Sequence, residues 1–298
     1  MISETDLILN TDGSVYHLGL RSEHLADIVL LVGDPERVPQ ISAFWDKIEY
    51  RQNRREFITQ TGIIGSHRLT VISTGIGTDN IDIVLNELDA LCKINTDTRT
   101  ALDQPRSLTL VRIGTAGCLQ PDRSEGGFIV SHAAIAFDGL MQHYKLSYDE
   151  FEIQLAKAVS LHLYGEQAPA APTVVSANDQ LMEHFRACGF EEGLNWTCAG
   201  FYGPQGRNLF GRSTYPNLLE QAVSFRFLHN HREHRITHLE METSGIYGLS
   251  RLMGHRAISI SALLAHRYHH RFTTQPQEIM ENCIAQVLDT LKSLNTSH

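Results

Sequence analysis

The sequence predicts an α/β fold in which helices pack around a central sheet of mixed, mostly parallel strands. Short apolar runs typical of buried strands alternate along the chain with segments whose apolar residues recur at helical spacing. The 298 residues are 42% hydrophobic and 20% charged, an ordinary globular composition with ample material for a core. No linker or internal repeat interrupts the alternation, so residues 15–298 are expected to form one domain after a flexible polar tail, 1–14.

The predicted strands are apolar runs that end in turn residues. In chain order they cover residues 26–32, 67–73, 108–113, 128–130, 172–176, 195–201, 236–241 and 256–264. A basic cluster at 51–57 leads into a further strand. The segment 95–106 has no periodicity and is expected to be a surface insertion.

The predicted helices cover residues 81–91, 151–164, 180–188, 243–253 and 279–291. The first is the clearest, because its apolar residues lie on one face and Asp79 or Asn80 can cap its start. The segment 221–235 is polar and contains His229, His231 and His234. These histidines can ligate a metal, but their spacing matches no strong signature, so a solvated loop is expected.

Charge and cysteine content exclude several classes of protein. The net charge is −9 and no basic tract is present, which argues against nucleic-acid binding. The cysteines are odd in number and widely spaced, which favours a reducing compartment over a disulfide framework or a zinc site. No apolar run approaches a membrane span and the N-terminus lacks a signal-peptide pattern, so a cytoplasmic protein is expected.

The run 108–113 carries one charge, Arg112, and is predicted to stop at the small residues 114–117. An unpaired buried charge is costly, so a buried strand carries an arginine only where an anion meets it. Small residues let the backbone approach that anion and direct N–H groups towards it. Arg112 with Thr115 is therefore predicted to form the floor of an oxyanion site. The alternative is a structural arginine paired with a carboxylate.

Two further strands end in glycine turns. Residues 33–37 read Gly-Asp-Pro-Glu-Arg, and the carboxyl edge of an α/β sheet is where ligands bind. The alternative is a plain β-turn with a solvated Arg37. Residues 74–80 resemble a phosphate loop but lack both the G-x-G-x-x-G spacing and a Walker lysine, which makes a dinucleotide site a weak reading.

Seven short motifs in order then identify a resemblance. They are H-L-G-L at 17–20, G-D-P-x-R at 33–37, R-E-F at 55–57, S-T-G-I-G at 73–77, R-I-G-T-x-G at 112–117, F-Y-x-x-Q-x-R at 201–207 and E-M-E at 240–242. Together they resemble the uridine phosphorylases of the nucleoside phosphorylase-I family, from Val15 to the last helix. The chain is longer than common bacterial members, with the excess expected at the N-terminus, near 95–106 and near 217–236.

The resemblance implies a single three-layer α/β/α domain and a pentosyltransferase. The reaction implied is reversible phosphorolysis of uridine to uracil and ribose 1-phosphate, with nucleoside and inorganic phosphate as substrates and no organic cofactor. It also implies a homodimer with shared active sites, assembled as a trimer of dimers into a hexamer. The alternatives are a family member with another base preference (purine, thymidine or a modified nucleoside) and a nucleoside-binding homologue without turnover.

The resemblance carries roles over to positions of this sequence. The phosphate ligands it implies are Gly33, Arg37, Arg55, Arg112 and Thr115, with Arg55 supplied by the neighbouring subunit. The ribose ligands are His17, Met241 and Glu242, with His17 from the partner, and the base ligands are Phe201, Gln205, Arg207 and Arg267. Arg112, Glu242 and Arg207 are the expected catalytic residues, since a dianion needs fork-shaped cationic donors and the departing base gathers negative charge.

The sequence departs from the family pattern at two places. Asn80 replaces a serine of the relatives' monovalent-cation site, so a potassium site at Glu56, Ile76 and Asn80 is left open. Residues 264–267 read Leu-Ala-His-Arg, without the carboxylate that assists purine departure in relatives, which disfavours purine phosphorolysis. His266 stands where pyrimidine relatives tend to have asparagine, and it either alters base preference or bonds a loop.

Overall fold

A computed structural model of the chain describes residues 2–294. The strands are β1 (Ile28–Val32), β2 (Lys47–Arg54), β3 (Phe57–Ile64), β4 (His67–Ser73), β5 (Ile94–Asn95), β6 (Thr100–Ala101), β7 (Thr109–Cys118), β8 (Phe128–Ala136), β9 (Thr173–Ser176), β10 (Glu191–Thr197), β11 (Phe227–His229), β12 (Arg232–His234), β13 (Ile236–Glu240), β14 (Arg256–His266) and β15 (Arg271–Phe272). The helices are α1 (Arg37–Ser42), α2 (Thr78–Lys93), α3 (Glu150–Tyr164), α4 (Asp179–Ala187), α5 (Leu218–Ser224), α6 (Thr243–Leu252) and α7 (Pro276–Lys292).

One large sheet forms the centre of the domain, and β7 pairs with three of its strands. The first half of β7 pairs in parallel with β1, and its whole length pairs in parallel with β14. Its last residues pair antiparallel with β13, which is joined through β10 and β8 back to β14. These five strands therefore close on themselves, while β1, β4, β3 and β2 continue as an open sheet. The predicted α/β class with a mixed sheet is confirmed.

Strand β7 corrects the prediction that residues 114–117 form a turn. They continue the strand to Cys118 and pair with β14 and β13. Small residues are needed here because arginine side chains lie against the backbone. A Cβ at Gly114 would lie 2.1 Å from Nη1 of Arg112, and a Cβ at Gly117 would lie 2.9 Å from Cγ of Arg267.

Two other predicted boundaries shift. The strand predicted at 195–201 is β10, which begins at Glu191, because residues 191–194 pair with β8 although they start with two carboxylates. Residues 198–201 therefore belong to a loop. The strand predicted at 236–241 ends at Glu240, which leaves Met241 and Glu242 between β13 and α6.

The polar segment 221–235 is also more ordered than the predicted solvated loop. It contains the end of α5 and a hairpin of β11 and β12. His234 is buried in this hairpin, with Nδ1 3.3 Å from Nε2 of His132 on β8 and its ring centroid 4.9 Å from that of Phe151. Aromatic and imidazole contacts to α3 and β8 therefore hold the hairpin.

The N-terminal residues predicted as a tail make specific contacts with the domain. Leu7 is buried, and Leu9 forms a β-bridge with Val15. The side chain of Asn10 donates to the carbonyl oxygen of Val15 and accepts from Arg54. This segment therefore supports the chain that leads to the first motif at residues 17–20.

Helices cover the sheet and enclose the core. Helix α6 packs on β8, β9, β14 and α2, while α7 packs on β7 and β14. Helices α3 and α5 pack against each other and against β9 and β13, enclosing a second apolar cluster around Trp196. None of the helices within residues 2–294 is long and apolar enough to cross a membrane.

Two histidines of the central sheet, His132 on β8 and His238 on β13, make the fold sensitive to acid. Burial lowers the pKa of His132 to about 4 and that of His238 to about 3, against 6.5 in an open chain. As pH falls, these histidines therefore bind protons in the unfolded chain before they do so in the folded one. The stability that comes from keeping them neutral is present above pH 6.5 and is lost as pH falls towards 4. We expect the free energy of unfolding to fall by roughly 1–2 kcal/mol per histidine between pH 7.5 and pH 5, measured by urea denaturation.

The His238→Gln variant is the control, because its amide does not titrate in this range. Its unfolding free energy should depend less steeply on pH than that of the natural chain. An unchanged slope would remove His238 from this account.

Candidate active site

Several functional positions meet where β1, β4 and β7 run side by side. In the sheet register Leu31 lies beside Arg112, and Val32 lies beside Ser73. The turn that begins at Gly33 and the segment 74–77 therefore leave the sheet next to each other. A Cβ at Gly33 would lie 3.3 Å from the carbonyl oxygen of Gly75, so glycine permits this close approach.

Arg112 lies at the bottom of this region and is only 5% exposed. Its Nη2 lies 2.5 Å from Oε2 of Glu242 and 3.1 Å from Oε2 of Glu240, while Nη1 donates to Oγ of Ser261 at 3.2 Å. Burial alone would lower the pKa of Arg112, but the two carboxylates outweigh it and raise the pKa. Arg112 is thus a permanent cation shared by two buried anions.

Glu240 is held by donors on every side. Its carboxylate accepts from Nδ2 of Asn195, from Oγ1 of Thr197 and from the backbone N–H groups of Glu242 and Thr243, at 2.8–3.0 Å. Burial works to raise its pKa, but Arg112 and these donors outweigh it and hold the pKa below its usual range. Glu240 is therefore a fixed anion that orients Arg112 and the start of α6.

Glu242 is less well compensated than Glu240. Its Oε1 accepts from the backbone N–H of Gly77 at 2.9 Å, and Oε2 accepts from Arg112. Burial raises the pKa of Glu242, and the neighbouring Glu240 carboxylate raises it further despite Arg112. A carboxylate with few donors beside a fixed cation is suited to accept hydrogen bonds from a ligand.

Arg37, the first residue of α1, reaches the same place. Its Nη1 donates to the carbonyl oxygen of Ile113 at 3.3 Å, one residue beyond Arg112. Burial lowers the pKa of Arg37, and the charge of Arg112 adds to this although Asp34 opposes it. Arg37 from the start of α1 and Arg112 from within β7 therefore reach the same part of the sheet. Thr115, two residues further along β7 than Ile113, is half-buried.

A second group of predicted residues forms a cluster at the far end of β7. Arg207 donates to Oε1 of Gln205, and its guanidinium carbon lies 3.7 Å from the ring centroid of Phe201. Nη2 of Arg267 donates to the carbonyl oxygen of Gln205 at 3.0 Å. Burial and, to a lesser degree, the positive charge of Arg207 lower the pKa of Arg267 to about 10. Gln205 is buried and Phe201 is half exposed, so the cluster has a polar floor and an open aromatic side.

His17 and Arg55 do not join either group within this chain. His17 binds Glu87 of α2, with 2.6 Å between Nδ1 and Oε1. Arg55 is exposed in the turn between β2 and β3, and its guanidinium carbon lies 5.5 Å from the ring of Tyr16. The Tyr16 and His17 rings are in edge contact, so His17 and Arg55 form one surface patch.

The three positions of the expected cation site surround Gly75. A Cβ at Gly75 would lie 2.4 Å from Nδ2 of Asn80 and 3.5 Å from Cγ of Glu56. Nδ2 of Asn80 donates to the carbonyl oxygen of Ile76 at 3.4 Å. Glu56, Ile76 and Asn80 therefore lie close together, although the Asn80 amide presents its nitrogen to the carbonyl oxygen of Ile76.

The structure favours the loop-bonding alternative for His266. This residue is fully buried, its Nε2 lies 2.9 Å from the carbonyl oxygen of Arg123, and its Nδ1 accepts from the backbone N–H of His269. Both ring nitrogens are thus engaged with loops. His266 fixes the position of the following Arg267, whose N–H donates to the carbonyl oxygen of Cys118.

Two carboxylates that bind predicted site residues, Glu240 and Glu87, were not predicted from the sequence. Glu240 carries a signal, because it belongs to the E-M-E motif and a charge at the end of a buried strand requires partners. Glu87 carries none, since it reads as one more polar residue of an amphipathic helix. Its partners, the backbone of residues 17 and 18, are about seventy positions away.

Comparison with known families agrees with this geometry. Residues 27–293 match the family model described as the phosphorylase superfamily. The chain belongs to this superfamily. The resemblance and the fold predicted from the motifs are thereby confirmed.

The relatives most similar to the chain include several uridine phosphorylases. That of Thermococcus kodakarensis is 29% identical over 268 residues, which cover 88% of this chain and 80% of the relative. That of Salmonella typhimurium is 33% identical over 132 residues, 44% of this chain and 47% of the relative. A Trypanosoma brucei nucleoside phosphorylase whose crystal structure shows uridine phosphorylase activity superposes with a TM-score of 0.86 at 28% identity, covering 97% of this chain and all of the other.

The space above Gly114 tests the placement of Arg112. In the Gly114→Ala variant the new methyl group would overlap the guanidinium, so Arg112 or the strand must move. We expect the free energy of unfolding to fall by about 1–3 kcal/mol, measured by urea denaturation. Gly127→Ala is the matched control, since nothing lies within 4 Å of its Cβ position. Equal stability of the two variants would contradict the position of Arg112.

Proposed function

We propose that the protein is a uridine phosphorylase-like pentosyltransferase that cleaves uridine with inorganic phosphate to uracil and ribose 1-phosphate. The observation that carries the proposal is the convergence of Arg37 and Arg112 beside Glu242. Cationic forks next to a carboxylate with spare acceptor capacity suit a phosphate dianion attacking a sugar. The uridine phosphorylases among the relatives supply the substrate class.

Phosphate binding falls to the first group of residues. Arg37 and Arg112 would hold the dianion, with Gly33 and Thr115 offering backbone and hydroxyl donors at the same sheet edge. The Glu240 carboxylate keeps Arg112 in place, so the guanidinium needs little reorganisation when the dianion binds.

Ribose binding falls to Glu242, with Met241 beside it. The carboxylate would accept from the ribose hydroxyls and stabilise the positive charge that develops at the anomeric carbon. In the step itself a phosphate oxygen forms a bond to C1′ while the bond from C1′ to the base nitrogen breaks. The electron pair of that bond leaves with the uracil, which then takes up a proton.

Base binding falls to the second group. Gln205 can donate and accept against a uracil edge, Arg207 and Arg267 can stabilise charge on the carbonyl oxygens, and Phe201 can pack on the ring. Arg112 and Gly117 stand about 17 Å apart along β7, a spacing that lets side chains from the two groups bracket one nucleoside. Residues 264–267 contain no carboxylate that could protonate a purine, which favours a pyrimidine substrate.

Charge balance supports a site shared between two subunits. The charges of Arg37 and Arg112 are offset by Glu240 and Glu242, so a dianion needs a further cation. Arg55 can provide it only from another copy, because it lies in the exposed patch with His17. A homodimer with exchanged His17 and Arg55, arranged as a trimer of dimers, accounts for both residues. Light scattering on the active species tests this, and a fully active monomer would contradict it.

The cation site and the location remain proposals. A potassium ion at Glu56, Ile76 and Asn80 requires Asn80 to turn its Oδ1 inward, and it would hold the Gly75 loop in place. Replacing potassium by choline at constant ionic strength tests it, and unchanged turnover would exclude a role for the ion. We also propose a cytoplasmic location, because the odd number and wide spacing of the cysteines favour a reducing compartment, and cell fractionation tests it.

Incubation with uridine tests the proposed reaction directly. We expect uracil and ribose 1-phosphate when phosphate is present and no uracil when it is omitted. The measurement is chromatography of both products, repeated on a panel of nucleosides that includes inosine and thymidine. Uracil release without phosphate would indicate hydrolysis, and faster turnover of inosine would overturn the pyrimidine preference.

A further inference from the structure

Glu87 on α2 makes three hydrogen bonds to the segment that contains His17. One carboxylate accepts from the backbone N–H of His17 at 2.9 Å, from the backbone N–H of Leu18 at 2.8 Å and from Nδ1 of the His17 ring at 2.6 Å. Glu87 is 9% exposed, and the His17 side chain is 28% exposed. The carboxylate is therefore mostly withdrawn from water, while part of the imidazole still faces it.

These contacts decide which ring nitrogen carries the proton. An ionised carboxylate can only accept, so Nδ1 of His17 must be the donor. In the neutral ring Nε2 is then an acceptor with a free lone pair. Within residues 2–294 Nε2 has no hydrogen-bond partner, so it is available to a ligand.

The position of the pair indicates which ligand it meets. Glu87 lies about 14 Å along the α2 axis from Thr78, the first residue of that helix. The residue before Thr78 is Gly77, whose N–H donates to Glu242. The His17 ring, which is bound to Glu87, is thus separated along α2 from Glu242 of its own chain. It stands instead beside Arg55 in the patch that the proposed function assigns to the site of a neighbouring copy.

We propose that Glu87 is a positioning residue that fixes His17 with its proton on Nδ1, so that Nε2 accepts a hydrogen bond from the 5′-hydroxyl of the nucleoside. This inference rests on the proposed function, in which a neighbouring copy supplies His17, and on the resemblance, which implies that His17 is a ribose ligand. It adds a selection rule: the site favours nucleosides with a 5′-hydroxyl donor over 5′-deoxynucleosides. A nucleoside 5′-phosphate is disfavoured as well, because its phosphate oxygens are acceptors and cannot donate a hydrogen bond to Nε2 of His17.

The test compares kcat/KM for phosphorolysis of uridine and of 5′-deoxyuridine. The natural enzyme should prefer uridine about fivefold to tenfold, as expected for one neutral hydrogen bond. In Glu87→Ala the preference should fall to about one, because uridine turnover drops while 5′-deoxyuridine turnover is largely kept. Glu87→Gln keeps the shape if the alanine variant does not fold, and its preference should also fall.

Two controls separate positioning from a general effect on folding. Asp82→Ala removes another α2 carboxylate, which bonds Asn86 and Tyr144, and should leave the preference unchanged. In a His17→Ala background, adding Glu87→Ala should change uridine kcat/KM by less than about twofold, since the partner through which Glu87 acts is gone. Equal losses on both substrates, or a full further loss in the double variant, would overturn the inference.

Failure of the proposed function gives a different result. If the natural protein does not phosphorolyse uridine, the proposed function fails. Calorimetric affinities for uridine and 5′-deoxyuridine then replace kcat/KM in the same variants. A preference for uridine that Glu87→Ala removes would still support the role of Glu87, and equal affinities in the natural protein would overturn it.

Discussion

A buried arginine held between two buried carboxylates is the interaction on which the site depends. Arg112 contacts Glu240 and Glu242, and all three side chains are almost fully removed from water. Removing one member of such a group leaves an uncompensated charge and costs about 3–5 kcal/mol. The surrounding fold is arranged to prevent this: donors surround Glu240, Gly77 holds Glu242, and Gly114 leaves room for the guanidinium.

The closed ring of strands explains how such a group can exist in the interior. Strand β7 brings Arg112, and β13 ends at Glu240 beside the start of α6. Because β13 runs antiparallel to β7, its carboxyl end points back along β7 towards Arg112. An open parallel sheet would leave these ends further apart. The mixed pairing therefore has a chemical consequence, since it places an anion pair against a cation.

Much of this architecture could be predicted from sequence. Strands and helices with clear periodicity, such as β4 and α2, lie where their apolar residues indicate. Prediction from sequence was wrong where the same residue type occurs both in turns and in strands. The glycines of β7 read as a turn, because the sequence does not reveal that arginine side chains fill the space beside them. The two carboxylates at the start of β10 are typical of a loop, but in the structure they belong to a strand that pairs with β8.

The site could be predicted only in part, because its residues are visible in the sequence and their partners are not. An arginine in an apolar run indicates a buried anion, but the sequence cannot say whether that anion is a ligand or a carboxylate of the protein. In the structure Arg112 has two carboxylate partners, Glu240 and Glu242, as the alternative of a paired structural arginine predicts, and in the proposed function it also binds phosphate. Glu87 was not predictable, because only the folded chain brings it to the backbone of residues 17 and 18.

A crystal structure with phosphate and uridine bound tests the central claim most directly. The account predicts a phosphate within hydrogen-bond distance of both Arg37 and Arg112, with the ribose hydroxyls on Glu242. Arg112 contacting only its carboxylates, with the phosphate bound elsewhere, would contradict it.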